Sequence, residues 1–244
     1  MTLSEPINAP ALKPVLIRID PIRIDFVSDV SCPWCAIGLM ALQQAIAKVG
    51  DAIAVDLHFQ PFELNPRMAA AGEDAVEHLM HKYGISREQA ARNGEALHAR
   101  GAELGFTFNM DKRRRVYNTF DAHRLLHWAE LQGAQRQLAL KHALLRAYFS
   151  DGEDVSDRDT LVGLAVAAGL DGAQAREVLA SDRHADDVRA QERYYTQAGV
   201  HAVPAIILQQ RHLVSGGQPV AVFEAALRSV ADERRGAADT DTPP

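Results

Sequence analysis

The sequence predicts an α/β fold interrupted by a large all-helical insertion. Three observations carry this expectation. A strand–helix–strand pattern occupies residues 22–59, helical signals alone fill the stretch from about 73 to 199, and strand signals return only after Gly199. With 47% apolar and 24% charged residues, a chain of 244 residues can bury one or two substantial cores.

Residues 1–15 hold three prolines and no period, and read as a loose arm. The first strand lies within residues 16–27, with Pro21 moving its start toward Ile22. A helix follows to about Val49, where Ile37, Met40, Leu42, Ala45, Ile46 and Val49 recur at three- and four-residue spacing and Gly50 suits the C-cap. Val55, Leu57 and Phe59 alternate, giving a second strand and hence a right-handed parallel βαβ unit. PFELNP at residues 61–66 closes that unit. Six helices are then expected, at about 86–105, 119–131, 134–149, 156–169, 173–180 and 183–198. Ser86 with Gln89 resembles a capping box, Ser156 and Asp159 open the fourth helix, and residues 106–108 (FTF) read as a short extended piece. Beyond Pro204, AIIL and HLV flank a polar turn as a hairpin, and Pro219 starts a helix with Val222, Phe223, Ala226, Leu227 and Val230 on one face. The expected partition is a discontinuous α/β domain at 16–66 and 200–233, a helical insertion domain at 67–199 and a disordered tail at 234–244.

Both cysteines of the chain stand in one motif, Cys32-Pro33-Trp34-Cys35, between the first strand and the first helix. At this spacing the two fall one helical turn apart, within disulfide range. Pro33 fits the first turn, where its missing N–H costs nothing. Cys32 then meets the unpaired N–H groups and positive end of the helix, which favours its thiolate. The expectation is an exposed, acidic Cys32 that attacks or is attacked, and a covered Cys35 that resolves the mixed disulfide. A structural disulfide closing so short a loop would contribute little, and a closed zinc site would need two further ligands at suitable spacing. Trp34 is expected at the surface, offering apolar contact to a client chain.

The balance of 32 acidic against 26 basic residues argues against nucleic acid or an anionic membrane as partner. No basic leader with an apolar core and no membrane-length apolar run is seen, so a cytoplasmic protein is expected. A lone cysteine pair in that compartment points to catalysis or redox sensing.

The order βαβ, helical insertion, ββα resembles a thioredoxin fold split by a helical domain, and C-P-x-C with such an insertion resembles the DsbA family. DVSCPWC at 29–35, PFELNP at 61–66, NTFDAHRL at 118–125, and Val203-Pro204 followed by SGGQP at 215–219 are similar to its FrnE-like branch. The resemblance implies thiol–disulfide exchange with Cys32 as nucleophile, no bound cofactor beyond the redox-active Cys32–Cys35 pair, and an external thiol reductant of the glutathione or thioredoxin type. It also implies a cis Val203-Pro204 peptide opposite the motif, leaving the Val203 backbone free to pair with an extended protein or peptide substrate. Thioredoxin-like proteins often carry a buried acid six residues before the first cysteine. Here that place is Phe26 and the nearest acid is Asp25, expected to help move the Cys35 proton. Related glutathione-using isomerases of hydroxychromene carboxylates and kappa-class transferases typically hold serine where Cys32 stands. They form the alternative, beside a redox-sensing module that binds a partner.

Asn118, His123 and Arg124 are candidates to face the motif from the helices and bind substrate; capping by Asn118 and salt bridging by Arg124 explain them equally. His123 and His127 share a helix face, but without a third ligand nearby they read as packing residues, and no metal is expected. Lys112 to Arg115 reads as a solvated basic loop, and a homodimer stays open.

Overall fold

The computed structural model describes residues 20–240, with side chains described to Gly236, so the arm at 1–15 lies outside the described residues. The N-terminal unit comprises β1 (Ile22–Ser28), α1 (Pro33–Val49), a 3₁₀ turn (Gly50–Ala52) and β2 (Val55–Pro61). β1 and β2 run parallel, pairing Ile24 with Leu57 and Phe26 with Phe59. After the helical segment the chain returns as β5 (Ala205–Leu208), β6 (His212–Ser215) and α9 (Val220–Thr240). β5 lies antiparallel to β1 and to β6, giving a four-stranded sheet ordered β2-β1-β5-β6. This is the thioredoxin-like arrangement that the sequence predicts.

Alternation along β1 divides the sheet's two faces. Ile22, Ile24 and Phe26 join Leu39, Leu42, Phe223 and Leu227 in the core under α1 and α9. Asp25 and Val27 point the other way, where Val27 and Ala205 pack with Tyr195 and Val200. The β5–β6 hairpin turns at Gln209 and Gln210, both left-handed at φ 52° and 56°. That is the twist a tight hairpin requires, reached here without the usual glycine.

Between the halves lie a two-stranded ribbon, β3 (Glu73–Asp74) with β4 (Arg115–Val116), and the helices α2 (Ala75–Tyr83), α3 (Arg87–Glu103), α4 (Phe120–Leu131), α5 (Ala134–Arg146), α6 (Arg158–Ala167), α7 (Gly172–Ala180) and α8 (Ala185–Gln197). α5 ends in a π turn, Ala147–Asp151. Several expectations need correction. Seven helices rather than six lie here among the described residues, because Asp74 caps α2 through the Val76 and Glu77 N–H groups. Asp157, not Ser156, caps α6 by accepting from Thr160. Apart from these, the short piece at residues 106–108 lies between α3 and β4 without pairing into a sheet, and Phe106 and Phe108 pack edge-to-face. The tail expected at 234–244 is helical through Thr240, since the arginines, alanines and acids beyond Val230 sustain a helix; residues 241–244 lie outside the described residues.

The helical segment shares its core with the sheet. Phe59, Leu125, Leu140, Leu144 and Phe149 belong to the same cluster as Phe26 and Ile37. Gln137 of α5, fully buried, accepts from the Phe59 N–H and donates to the Phe59 carbonyl, both at 3.1 Å, so one side-chain amide stands in for a strand along the outer edge of β2. Among the described residues no helix is long and apolar enough to cross a membrane.

Candidate active site

Cys32 is the N-cap of α1, with extended backbone (φ −91°, ψ 114°) and Pro33 following in the first turn. Its carbonyl accepts the Cys35 N–H at 3.0 Å, which brings the two side chains onto one turn as a free dithiol. The Cys32 sulfur donates to the Val203 carbonyl at 3.6 Å, and the Val203-Pro204 peptide is cis. Pro204 approaches α1 because position 38 is glycine: a Cβ there would lie 3.1 Å from the proline ring. One expectation is corrected. Cys32 is 4% exposed rather than open, being covered by the Val203 segment, while the neighbouring Trp34 is half exposed.

The two sulfurs are pushed in opposite directions. Cys32 titrates below an ordinary thiol. The hydrogen bond from Cys35 is the main cause, outweighing burial, and the N–H groups of Trp34 and Cys35 at the helix start add to it. Cys35 is raised well above an ordinary thiol, first by burial and then by its interaction with Cys32; the Lys141 ammonium pulls weakly the other way. A thiolate is thus most readily held on Cys32.

Beneath the pair lies Asp29, with no exposure. Its carboxylate accepts the Ser31 N–H at 3.1 Å and the Leu64 N–H at 2.7 Å, so the turn before the cysteines and the 61–66 segment are tied together. His123 of α4 places Nε2 3.6 Å from the same carboxylate, a charge contact longer than a hydrogen bond, and that nitrogen is buried without a partner. Burial alone would raise the Asp29 carboxyl, but His123 and the two N–H donors outweigh it and hold the group below its usual range. Lys141 of α5 lines one small cavity with His123, Phe59 and Pro61. It is fully buried, its Nζ has no hydrogen-bond partner, and burial lowers its pKa against the opposing pull of Cys35, Asp29 and Cys32. At the rim, Lys82 of α2 donates to the Leu64 carbonyl and the Asn65 side chain, and beside it Tyr83 is 56% exposed.

The remaining sequence-predicted residues are scattered. Asp25 is not brought to Cys35: it projects from the face of β1 opposite Phe26, and Arg23 and Gln60 hold it there at 2.7–3.0 Å. Asn118 caps α4 through the Phe120 N–H at 2.9 Å. Arg124 faces away from the motif, donating to the carbonyls of Val178, Ser181 and Arg183 and to Asp121. Of that trio only His123 reaches the cysteines' surroundings. Sequence reasoning assigned no role to Asp29 or Lys141. Asp29 stood within the quoted motif. Lys141 had a signal of its own, a lysine on the stripe of Gln137, Leu140, Leu144 and Leu145 that α5 buries.

Comparison with known proteins agrees with this architecture. The structure of a probable DsbA oxidoreductase, SCO1869 from Streptomyces coelicolor, superposes with a TM-score of 0.80 at 37% identity, covering 91% of this chain and 92% of that one. The uncharacterized protein YwbO of Bacillus subtilis (strain 168) is 28% identical over 207 residues, 84% of this chain and 96% of that protein. The cytosolic disulfide reductase DsbM from Pseudomonas aeruginosa, determined with GSH, shares the fold at a TM-score of 0.60 and 17% identity, over 86% of this chain and 99% of that one. The model of the DSBA-like thioredoxin domain matches residues 23–228. Because that span contains both cysteines, the cis proline and every helix between them, the likeness is one of whole architecture, and the chain belongs to the DSBA-like thioredoxin domain family of thiol–disulfide oxidoreductases.

Proposed function

We propose that the protein reduces or isomerises disulfides in protein or peptide clients within a reducing compartment. The observation that carries this reading is the opposite displacement of two sulfurs one turn apart, Cys32 lowered and Cys35 raised. The Cys32 thiolate attacks one sulfur of a client disulfide; the other leaves as a thiolate and takes a proton. A mixed disulfide joins Cys32 to the client. Cys35 then loses its proton and attacks the Cys32 sulfur, releasing the reduced client and leaving the Cys32–Cys35 disulfide. Two electrons have passed to the client, and an external thiol of the glutathione or thioredoxin type restores the dithiol. No bound cofactor takes part.

The surrounding groups suit these steps. Lys141, its pKa lowered by burial, lies beside the pair as the charge that eases loss of the Cys35 proton when the second attack begins. Asp29 and His123 position the turn that carries Cys32. The Val203 backbone pairs with an extended client, and Trp34 with Tyr83 gives apolar contact beside the sulfur. That the chain has two cysteines, both in the motif, supports a redox role over a structural one.

The test is an equilibrium redox titration against glutathione, with Cys35→Ser used to trap clients on Cys32. A potential near about −270 mV fits a reductase or isomerase, whereas one near about −120 mV makes the protein an oxidant and reverses the proposed direction. If no Cys32–Cys35 disulfide forms, the proposal fails. Activity that survives Cys35→Ser and requires glutathione would instead favour an isomerase or transferase of the hydroxychromene-carboxylate or kappa type.

A further inference from the structure

His123 and His127 lie one turn apart on α4 but serve different neighbourhoods. His123 turns toward Asp29, while His127 meets His184 and Asp187 at the start of α8. One donor atom from each of these three residues lies within 4.8 Å of the others. His127 Nε2 is 3.7 Å and His184 Nδ1 3.4 Å from the same carboxylate oxygen, Asp187 Oδ2. Hydrogen bonds would draw such pairs to about 2.7–3.2 Å. Donors bound at about 2.1 Å around a tetrahedral ion stand roughly 3.4 Å apart, which the His184–Asp187 pair matches and the His127–Asp187 pair, at 3.7 Å, approaches.

The surroundings hold this arrangement. The imidazoles are 14% and 13% exposed and tilted 51° to one another, while the Asp187 side chain is 60% exposed and gives an ion its way in. His184 sits in the left-handed region at φ 62°, uncommon for a residue with a Cβ, and stands at the N-cap of α8 with its ring turned to the Asp187 side chain, at 3.4 Å, rather than to the N–H groups of the first turn. The loop before it is fixed by buried Arg124, whose guanidinium gathers the carbonyls of Val178, Ser181 and Arg183. The donors are therefore pre-organised by a residue of α4 that belongs to neither imidazole. Two imidazoles and one carboxylate form a donor set for borderline transition ions rather than for calcium or magnesium.

We propose that His127, His184 and Asp187 bind a divalent transition ion, zinc foremost, which completes its coordination with water and staples α4 to the start of α8. The two cysteines are not among its donors, although His127 lines the same small cavity as His123 and Lys141.

The experiment uses the full chain without an affinity tag, stripped with chelator, in a Cys32→Ser/Cys35→Ser background so that the thiols bind no metal. Zinc is titrated by calorimetry and cobalt by its visible spectrum. The expected result is one equivalent bound with a tetrahedral cobalt spectrum and a rise in the thermal midpoint with zinc. Affinity should fall at least about ten-fold in His184→Ala and in Asp187→Asn, and stay unchanged in His98→Ala, which alters an exposed histidine of α3. Asp187 is at the surface, so its variant keeps the fold, as circular dichroism will register. Absence of binding, or binding undiminished by both Asp187→Asn and His184→Ala, overturns the proposal and leaves an ordinary histidine–aspartate ion cluster.

Discussion

At Lys141 a fully buried amine has no hydrogen-bond partner, and burial is the main cause of its lowered pKa. Lys141→Met keeps the volume and removes that cost, so the variant should be more stable by about 1–3 kcal/mol in urea unfolding. The same change removes the cation that eases Cys35 ionisation, so the mixed disulfide on Cys32 should persist longer when quenched with acid and counted. A variant that is stabilised yet resolves at the wild-type rate would remove Lys141 from the mechanism. Asp29 works in the opposite sense on the other sulfur, its charge raising Cys32. Asp29→Asn should therefore move the pH profile of Cys32 alkylation to lower pH. Because the folded Asp29 carboxyl lies below its unfolded value, its stabilisation is complete above about pH 4 and is lost as pH falls through the folded pKa. The acid limb of stability should flatten accordingly in Asp29→Asn. Cys32 and Cys35 were legible in the sequence because helix spacing alone brings them together. Asp25 misled because in a strand one step changes the face: Phe26 takes the place under α1, and Asp25 projects to the far side. Asp29 and Lys141 depend on which helix covers them, and no local pattern states that.

At the scale of elements, α1 and the segment before β5 meet through Gly38, where a Cβ would press on Pro204. Gly38→Ala should displace the Val203 carbonyl, which only the protonated Cys32 thiol can donate to, and so lower the thiol pKa, read as faster alkylation near neutral pH, with little change in helix content. An unchanged alkylation profile would mean that the proline ring gives way. Gln137 supports β2 by a different device. Gln137→Leu leaves the Phe59 N–H and carbonyl unpaired in a buried setting, a loss of about 1–3 kcal/mol in urea unfolding. The βαβ unit and the hairpin were readable because alternation and helical period are strong over β1, α1 and β2. The α2 helix was not, since AVEHLMHKY is short, with polar residues breaking up its apolar ones, and its cap lies in a two-residue ribbon with β4. The end of α9 was misread for a related reason. A polar composition signals disorder only where no helix already runs into it, and here the buried stripe of Phe223, Leu227 and Val230 does, Val222 being exposed beside it.

Over the whole molecule, the core passes without a break from α1 and the sheet into α4, α5 and α6. Unfolding should therefore be one event rather than two, although the sequence suggested an inserted domain. The two tryptophans allow a direct check: Trp34 is half exposed within the motif and Trp128 is buried in α4. Fluorescence of Trp34→Phe, reporting Trp128 alone, should trace the same denaturant midpoint as circular dichroism of the whole chain. Separate midpoints would establish an independently stable helical unit. The amide of Gln137 has a consequence at this scale too. A sheet open along both margins can add copies of itself without end, each new one offering the margin for the next. Here the β2 margin is occupied by a side chain of the same molecule, and β6 is the other terminal strand. Strand pairing through β6 would stop at two copies, because the β2 margin is taken by Gln137 at Phe59 and by α4, α5 and α8 packed beside it.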